Sequence, residues 1–382
     1  MLDTDLSRAA VPAAREDTSM NSARRAVMLR RAATWLALAG VLIVAPFRLD
    51  SFWLQLLLLS GASAVGALGL RFLFGVSGQL SLAHAFFIGV GAYGYAKLGP
   101  HIPGASVSTV GLTSGLAALL AIVGAGLAGL LFSPVAARLR GIYLGLASLA
   151  LVVFSTDLLL NENSLGGAYG IDAAPLKFGS FSFEETAPGA ALFGTPFGTM
   201  QRLWFLVMIV LLLCYGGMGR IERTRGGRAL KALRDSPAAA ASAGIHVQAY
   251  RSFAFVISSL AAGIAGVLLA LIYQHIVPDN FGLTLSILYL VMVVLGGPRS
   301  ALGAVLGALV VTGLPLLMTQ YAQDFPLVAK PGGSGGINAG TLSQYVFGMV
   351  MIIVLLARAG VALPLLGRLA PLLPRKRAAA VE

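Results

Sequence analysis

One cysteine, four histidines and 15 acidic residues are all that 382 positions offer for thiol, metal-centred or carboxylate chemistry. Cys214 has no second thiol, which excludes an intramolecular disulfide. His84, His101, His246 and His275 are scattered, and with one cysteine they make no metal-ligand spacing, so no metal site is expected. The phosphate-cradling pattern G-x-x-x-x-G-K-[ST] is missing, so this chain is not expected to bind ATP itself. Asp3, Asp5, Glu16 and Asp17 precede the first apolar run, which argues against a secretory signal peptide. Charge is scarce as well. Only 11% of residues are charged, against about 25% in an average soluble domain.

What fills the chain instead is apolar. Hydrophobic residues make up 57%, with 47 glycines and a mean hydropathy of +0.85. A water-soluble globule of this composition would lack the polar surface it needs. The fold class is therefore an all-α integral membrane protein, a polytopic helical bundle. A spanning helix takes about 20 apolar residues, and ten candidate spans follow: 32–49, 52–74, 76–98, 107–133, 142–160, 202–219, 251–275, 284–298, 300–321 and 342–358. The spans at 76–98 and 284–298 are interrupted by polar residues or by glycine and proline. Such breaks are tolerated at membrane depth only where neighbours or a water-filled cavity satisfy the freed backbone. Residues 1–31 read as a disordered cytoplasmic tail, 32–358 as the transmembrane domain and 359–382 as a basic cytoplasmic tail. An outer loop at 161–201 and an inner loop at 220–250 are the two long connections.

The surplus of basic residues, 27 against 15 acidic, gives a net charge of +12. With the N-terminus inside and all ten spans in place, 22 of the 27 fall on the cytoplasmic side, as the positive-inside bias requires. Both termini are then cytoplasmic. Arg48, Lys97, Lys177, Arg202 and Lys330 lie outside. Placed so, the charge serves topology and contact with anionic membrane lipid, and no nucleic-acid partner is expected.

The inner loop carries a short helix with clear punctuation. Ser236 is a candidate N-cap, Pro237 fits the first helical position, Ala238 to Ala243 are helix formers, and Gly244 fits the residue past the end. Arg228, Lys231 and Arg234 share one side of the preceding turns. A narrow helix flanked by basic residues suits docking in a partner's groove; a plain connector with topology charges is the other reading.

Five segments in order carry a resemblance to a family. GRALKALRDSPAAAASAGIHVQAYRSFAFVISSLAAGIAGVL (227–268) resembles the cytoplasmic docking loop of branched-chain amino-acid ABC permeases of the LivM type, which include urea and amide relatives. GVSGQLSLAHAFFIGVGAYGYAKL (75–98) resembles their GQxSLGHAAF segment, with Ala83 where glycine is usual. RLRGIYLGLASLALVVF (138–154) and NSLGGAYGI (163–171) resemble two more, the second with Leu165 in place of threonine. VLGGPRSALGAVLGA (294–308) matches in part, Ala304 standing in for proline.

The resemblance implies an ABC importer permease fold and transport of branched-chain amino acids or a similar small polar solute. It implies two ABC ATPase subunits that carry the ATP, a second homologous permease, an extracytoplasmic solute-binding protein and residence in the bacterial inner membrane. The chain itself would not be an enzyme. Asp235, Ser236, Pro237, Ala240, Ala241 and Gly244 are the expected ATPase-coupling residues. Asn161, Asn163 and Tyr169, at the outer mouth, would either meet the binding protein or cap the loop.

Gln79, Ser81 and His84 are polar at membrane depth, where an unpaired group costs several kcal/mol. They could line a substrate pathway or bond a neighbouring helix. Gly89-x-Gly91-x-x-Gly94 spells a dinucleotide fingerprint without its strand or acidic partner. Close helix packing is the expected role of these glycines, of Gly141-x-x-x-Gly145 and Gly303-x-x-x-Gly307, and of the Ser258, Ala262, Gly266 series. The competing class, an ion-coupled secondary transporter, would need paired ionisable groups inside the spans, and acidic residues there are almost absent.

Overall fold

The computed structural model describes residues 42–321, apart from 105–106, 140, 179–180, 184–190, 193–194 and 197, together with parts of 345–356. Both expected tails, and most of the first and last expected spans, lie outside the described residues. Among the described residues ten helices carry the fold: α1 (Ser51–Arg71), α2 (His84–Leu98), α3 (Ser114–Arg138), α4 (Ile142–Asn161), α5 (Thr199–Arg223), α6 (Arg225–Asp235), α7 (Pro237–Ser242), α8 (Val247–Tyr273), α9 (Leu283–Gly296) and α10 (Ala301–Gln320). Helical turns also occupy 42–48 and parts of 345–356.

Among the described residues six helices are long and apolar enough to cross a bilayer, within Ser51–Val76, Ser114–Arg138, Thr199–Arg223, Val247–Tyr273, Pro278–Gly296 and Ala301–Gln320. A shorter apolar stretch covers Ile142–Asp157. The span expected at 76–98 is not one helix. α1 runs into a π-turn at Phe72–Val76, the chain leaves helical geometry, and α2 begins only at His84. Gly78, at φ +72°, turns the chain there in a conformation that costs glycine little and other residues more.

α1 is the axis of the bundle. Every residue from Leu58 to Leu73 is buried, because the helix is apolar or small all round except at Arg71, which is paired, and is enclosed by α5, α8, α9 and α10. α8 is the second central helix and packs on α1, α2 and α3. Small residues set these approaches: a Cβ on Gly91 would lie 2.4 Å from the Gly263 carbonyl oxygen, and one on Gly266 would lie 2.1 Å from that of Ile88. Of the fingerprint glycines, Gly91 holds α2 against α8, while Gly94 faces Ala121 of α3 and Gly89 faces Phe281, so all three serve close packing. Gly303 and Gly307 do the same for α10 against α9, where added Cβ atoms would meet the backbone of Gly296 and Met292. Gly141 and Gly145 differ. No described atom lies within 4 Å of a Cβ at either, so this pair makes no packing seam; α4 touches the bundle through other residues such as Leu144 and Val152. Leu127, Leu131, Phe154 and Leu213 stay exposed, the apolar outer surface a bilayer solvates.

Residues that alternating spans bring to one side meet there. At the basic end Arg71, at the end of α1, pairs with Glu222 of α5 and donates to the Arg299 carbonyl at 2.9 Å. Arg251 Nη1 donates to the Ala137 carbonyl at 3.3 Å. At the opposite end Ile171–Asp172 pairs antiparallel with His275–Ile276, and Lys97 Nζ donates to the carbonyls of Ser108 and Ser164.

Candidate functional site

At the basic end α6 and α7 form the connection between α5 and α8. Thr224 caps α6, accepting from the Gly227 N–H. Ala229, Leu230 and Leu233 are buried on the inward side of α6, and Arg228 and Lys231 are both exposed. Ser236 is the N-cap of α7: its Oγ accepts the Ala239 N–H at 3.3 Å, with Pro237 in the first turn. Past the end, Gly244 sits at φ +79°. Its N–H reaches the Ala241 carbonyl at 3.0 Å, and the Ile245 N–H reaches that of Ala240 at 3.0 Å. These are the two reversed bonds of a Schellman cap. Six residues alone would be a marginal helix in water, and the paired caps fix its ends.

Two residues expected to meet an ATPase are placed differently from the rest, Asp235 before the helix and Ala240 on its inner side. Asp235 closes α6, and its Oδ1 accepts from Arg234 Nη2 at 2.9 Å. Ala240 is 4% exposed, turned toward its own chain, where α7 lies against α6 and α8. Ala238, Ala239, Ala241, Ser242, Ala243 and Gly244 form the exposed side.

The broken segment between α1 and α2 lies against α6. Its backbone is satisfied by side chains, as membrane depth demands. The Leu82 N–H reaches Ser148 Oγ of α4 at 2.8 Å, the Ala83 N–H reaches Ser81 Oγ at 3.2 Å, and the Ala85 N–H reaches Ser286 Oγ of α9 at 3.0 Å. Gln79 Nε2 donates to Ser77 Oγ and to the Arg251 carbonyl, at 2.9 and 3.2 Å, while its Oε1 is buried without a partner. His84 Nε2 meets the Gly66 carbonyl oxygen at 2.8 Å, and its ring lies 5.0 Å from that of Tyr289. Gln79, Ser81 and His84 are each buried with partners of their own, and the segment that carries them is bonded to α1, α4, α8 and α9. None of them lines the cavity of about 250 Å³ between α1, α8, α9 and α10.

Sequence reasoning did not single out that cavity. Ser63, Tyr273, Asn280 and Thr312 give it polar points among Leu59, Leu269, Met292 and Val311. Its only signal in the sequence is isolated hydroxyls within apolar runs.

At the opposite end Asn163 and Tyr169 lie in two successive single-turn 3-10 helices, Asn163–Leu165 and Gly167–Tyr169. Tyr169 is 88% exposed. Asn161 ends α4, and its side chain lies outside the described residues. The Ser164 N–H and side chain bond to the Glu162 carboxylate, and with lesser help from Lys97 they hold it below the usual carboxylate range. His275 braces this turn, with Nδ1 at 2.6 Å from Asp172 Oδ1 and Nε2 at 3.0 Å from the Tyr169 carbonyl oxygen.

The family model of the permease component of branched-chain amino-acid transport systems matches residues 52–355. The chain belongs to this branched-chain amino-acid ABC permease family. It is 31% identical over 303 residues to the high-affinity branched-chain amino acid transport system permease protein LivM of Escherichia coli K12, covering 75% of this chain and 69% of that one. The LivM protein of Salmonella typhimurium is 30% identical over 299 residues, covering 75% and 68%. A probable LivM permease of Methanocaldococcus jannaschii is 27% identical over 316 residues, covering 80% and 83%. No solved structure matches the chain. The match spans the broken segment, both connections described above and the α9–α10 hairpin, so this permease of an ABC transport system is a multi-pass membrane protein throughout the region just described.

Proposed function

We propose that this permease imports branched-chain amino acids, or a similar small polar solute such as urea or an amide, by alternating access driven from outside the chain. ATP is bound and hydrolysed by two ABC ATPase subunits. A second, homologous permease completes the membrane part, and an extracytoplasmic solute-binding protein delivers the solute. The basic end faces the cytoplasm of a bacterial inner membrane, both termini lie there, and 161–201 lies outside. The relatives named above are branched-chain amino-acid permeases, which supports the solute class.

The observation that carries the ATP-driven reading is α7, a doubly capped helix whose exposed side is only alanine, serine and glycine. Such a helix presents backbone and methyl groups in a narrow profile, and its rigid caps let it transmit a push. In this reading Ser236, Pro237, Ala241 and Gly244 form the coupling element, with Asp235 before it and Ala240 fastening it to the permease. Tyr169 and Asn163 offer the contact for the binding protein.

An ion-coupled secondary transporter is the competing reading. Among the described spans the acidic residues are Asp157, exposed near one end of α4, Asp279, exposed at the start of the Pro278–Gly296 span, and Glu222, paired with Arg71, an arrangement with no carboxylate at mid-membrane to carry a proton or sodium ion. The experiment is uptake of labelled leucine into proteoliposomes holding the full complex and binding protein. The ATP-driven reading expects uptake with enclosed ATP and none with an imposed proton or sodium gradient alone; gradient-driven uptake without ATP would reverse the choice.

A further inference from the structure

α6 is held at both ends against the segment where α1 breaks. Just before it, Glu222 pairs with Arg71, the last residue of α1. Near its far end Arg234 donates Nη1 to the Gly75 carbonyl oxygen at 2.6 Å. Gly75 lies within the π-turn Phe72–Val76. The Arg234 stem covers Gly78, where an added Cβ would lie 2.7 Å from Arg234 Cγ.

The same guanidinium is oriented from the other side. Its Nε and Nη2 both bond to Asp235 Oδ1, at 3.1 and 2.9 Å, and Asp235 is followed directly by Ser236, the N-cap of α7. One planar fork therefore bridges Asp235, the residue before the N-cap of α7, and the backbone of the membrane break. Only arginine offers donors on two sides of one rigid plane; lysine has a single ammonium on a flexible stem. Beyond Gly75 the chain is stiff: Gln79 holds Ser77 and the Arg251 carbonyl, and Ser148 and Ser286 hold the backbone into α2.

We infer that Arg234 is the positioning residue through which displacement of α7 moves the break between α1 and α2, the Gly75 carbonyl being the point of attachment. This rests on the proposal that α7 docks an ATPase. The covalent route through 243–246 into α8 would transmit motion without Arg234, so the two routes differ in what loss of the guanidinium does.

The experiment measures leucine moved per ATP hydrolysed by the reconstituted complex, for the wild type, Arg234→Met and Arg234→Lys. Methionine keeps an apolar stem over Gly78 and removes both sets of bonds. The expected result is unchanged co-purification of the ATPase, ATP hydrolysis within about twofold of wild type, and transport per ATP reduced about tenfold or more in Arg234→Met, with Arg234→Lys between. A wild-type ratio in Arg234→Met, or uptake and hydrolysis falling in proportion, overturns the inference. Should Arg234→Met fail to assemble, Arg234→Lys decides: a lowered ratio supports the link and a wild-type ratio refutes it. Absence of any ATPase from the wild-type preparation would instead strike the underlying proposal.

Discussion

Leu82 of the broken segment and Ser148 of α4 are joined by a 2.8 Å hydrogen bond from backbone N–H to hydroxyl oxygen, and Ser148, fully buried, donates its own O–H to the Gly145 carbonyl at 2.9 Å. The serine thus supplies what the missing helical turn would have supplied. Ser148→Ala leaves a buried donor unpaired, a loss of about 1–3 kcal/mol. We expect a lower unfolding midpoint for the purified permease in detergent, with Ser148→Cys recovering little. An unchanged midpoint for Ser148→Ala would mean that water or another group satisfies Leu82.

Gly266 and Gly145 form a matched pair for the packing argument. Gly266→Ala forces a methyl to within 2.1 Å of the Ile88 carbonyl oxygen, whereas Gly145→Ala meets nothing within 4 Å. Overpacking of this kind costs about 1–3 kcal/mol or more, while substitutions free of contact stay within about 0.5 kcal/mol. Thermal unfolding of the two variants should separate them clearly. Equal midpoints would remove the α2–α8 seam from the account.

Much of α7 could be read from the sequence because capping is local. Ser236, Pro237 and Gly244 announce their roles within nine residues, and each takes the expected position. The inward turn of Ala240 could not be read, since five neighbouring residues of nearly equal character give no periodicity from which to choose a face. The break at 77–83 showed as a polar interruption, but its partners are 66 and 201 residues away, beyond any pattern in a window. The Arg71–Glu222 pair, 151 residues apart, was hidden for the same reason. Gly141 and Gly145 misled because a small-residue spacing permits close packing without requiring it.

Tyr169 should mark the delivery face. It is 88% exposed on a turn braced by His275 and Asp172. An exposed aromatic of this kind, once buried under a partner, commonly carries a large share of the binding energy. Tyr169→Ala is expected to raise the binding-protein concentration for half-maximal uptake about tenfold, equivalent to roughly 1.4 kcal/mol, with ATPase association unchanged. Uptake titrations with purified binding protein give the comparison, and an unaltered curve would take Tyr169 out of the contact.

The central claim is that the exposed side of α7 is where an ATPase subunit docks. Its most direct measurement is the amount of ATPase that co-purifies with membrane-inserted permease carrying Ala241→Glu, beside wild type and Ala240→Glu. Ala241 is exposed and Ala240 is 4% exposed, so the first substitution alters the docking side alone, while the second places a charge inside the permease. The account predicts that Ala241→Glu inserts and unfolds like wild type yet retains less than about a tenth of the ATPase, and that Ala240→Glu lowers the unfolding midpoint of the permease itself. Full retention of the ATPase by Ala241→Glu, with wild-type uptake, would contradict it.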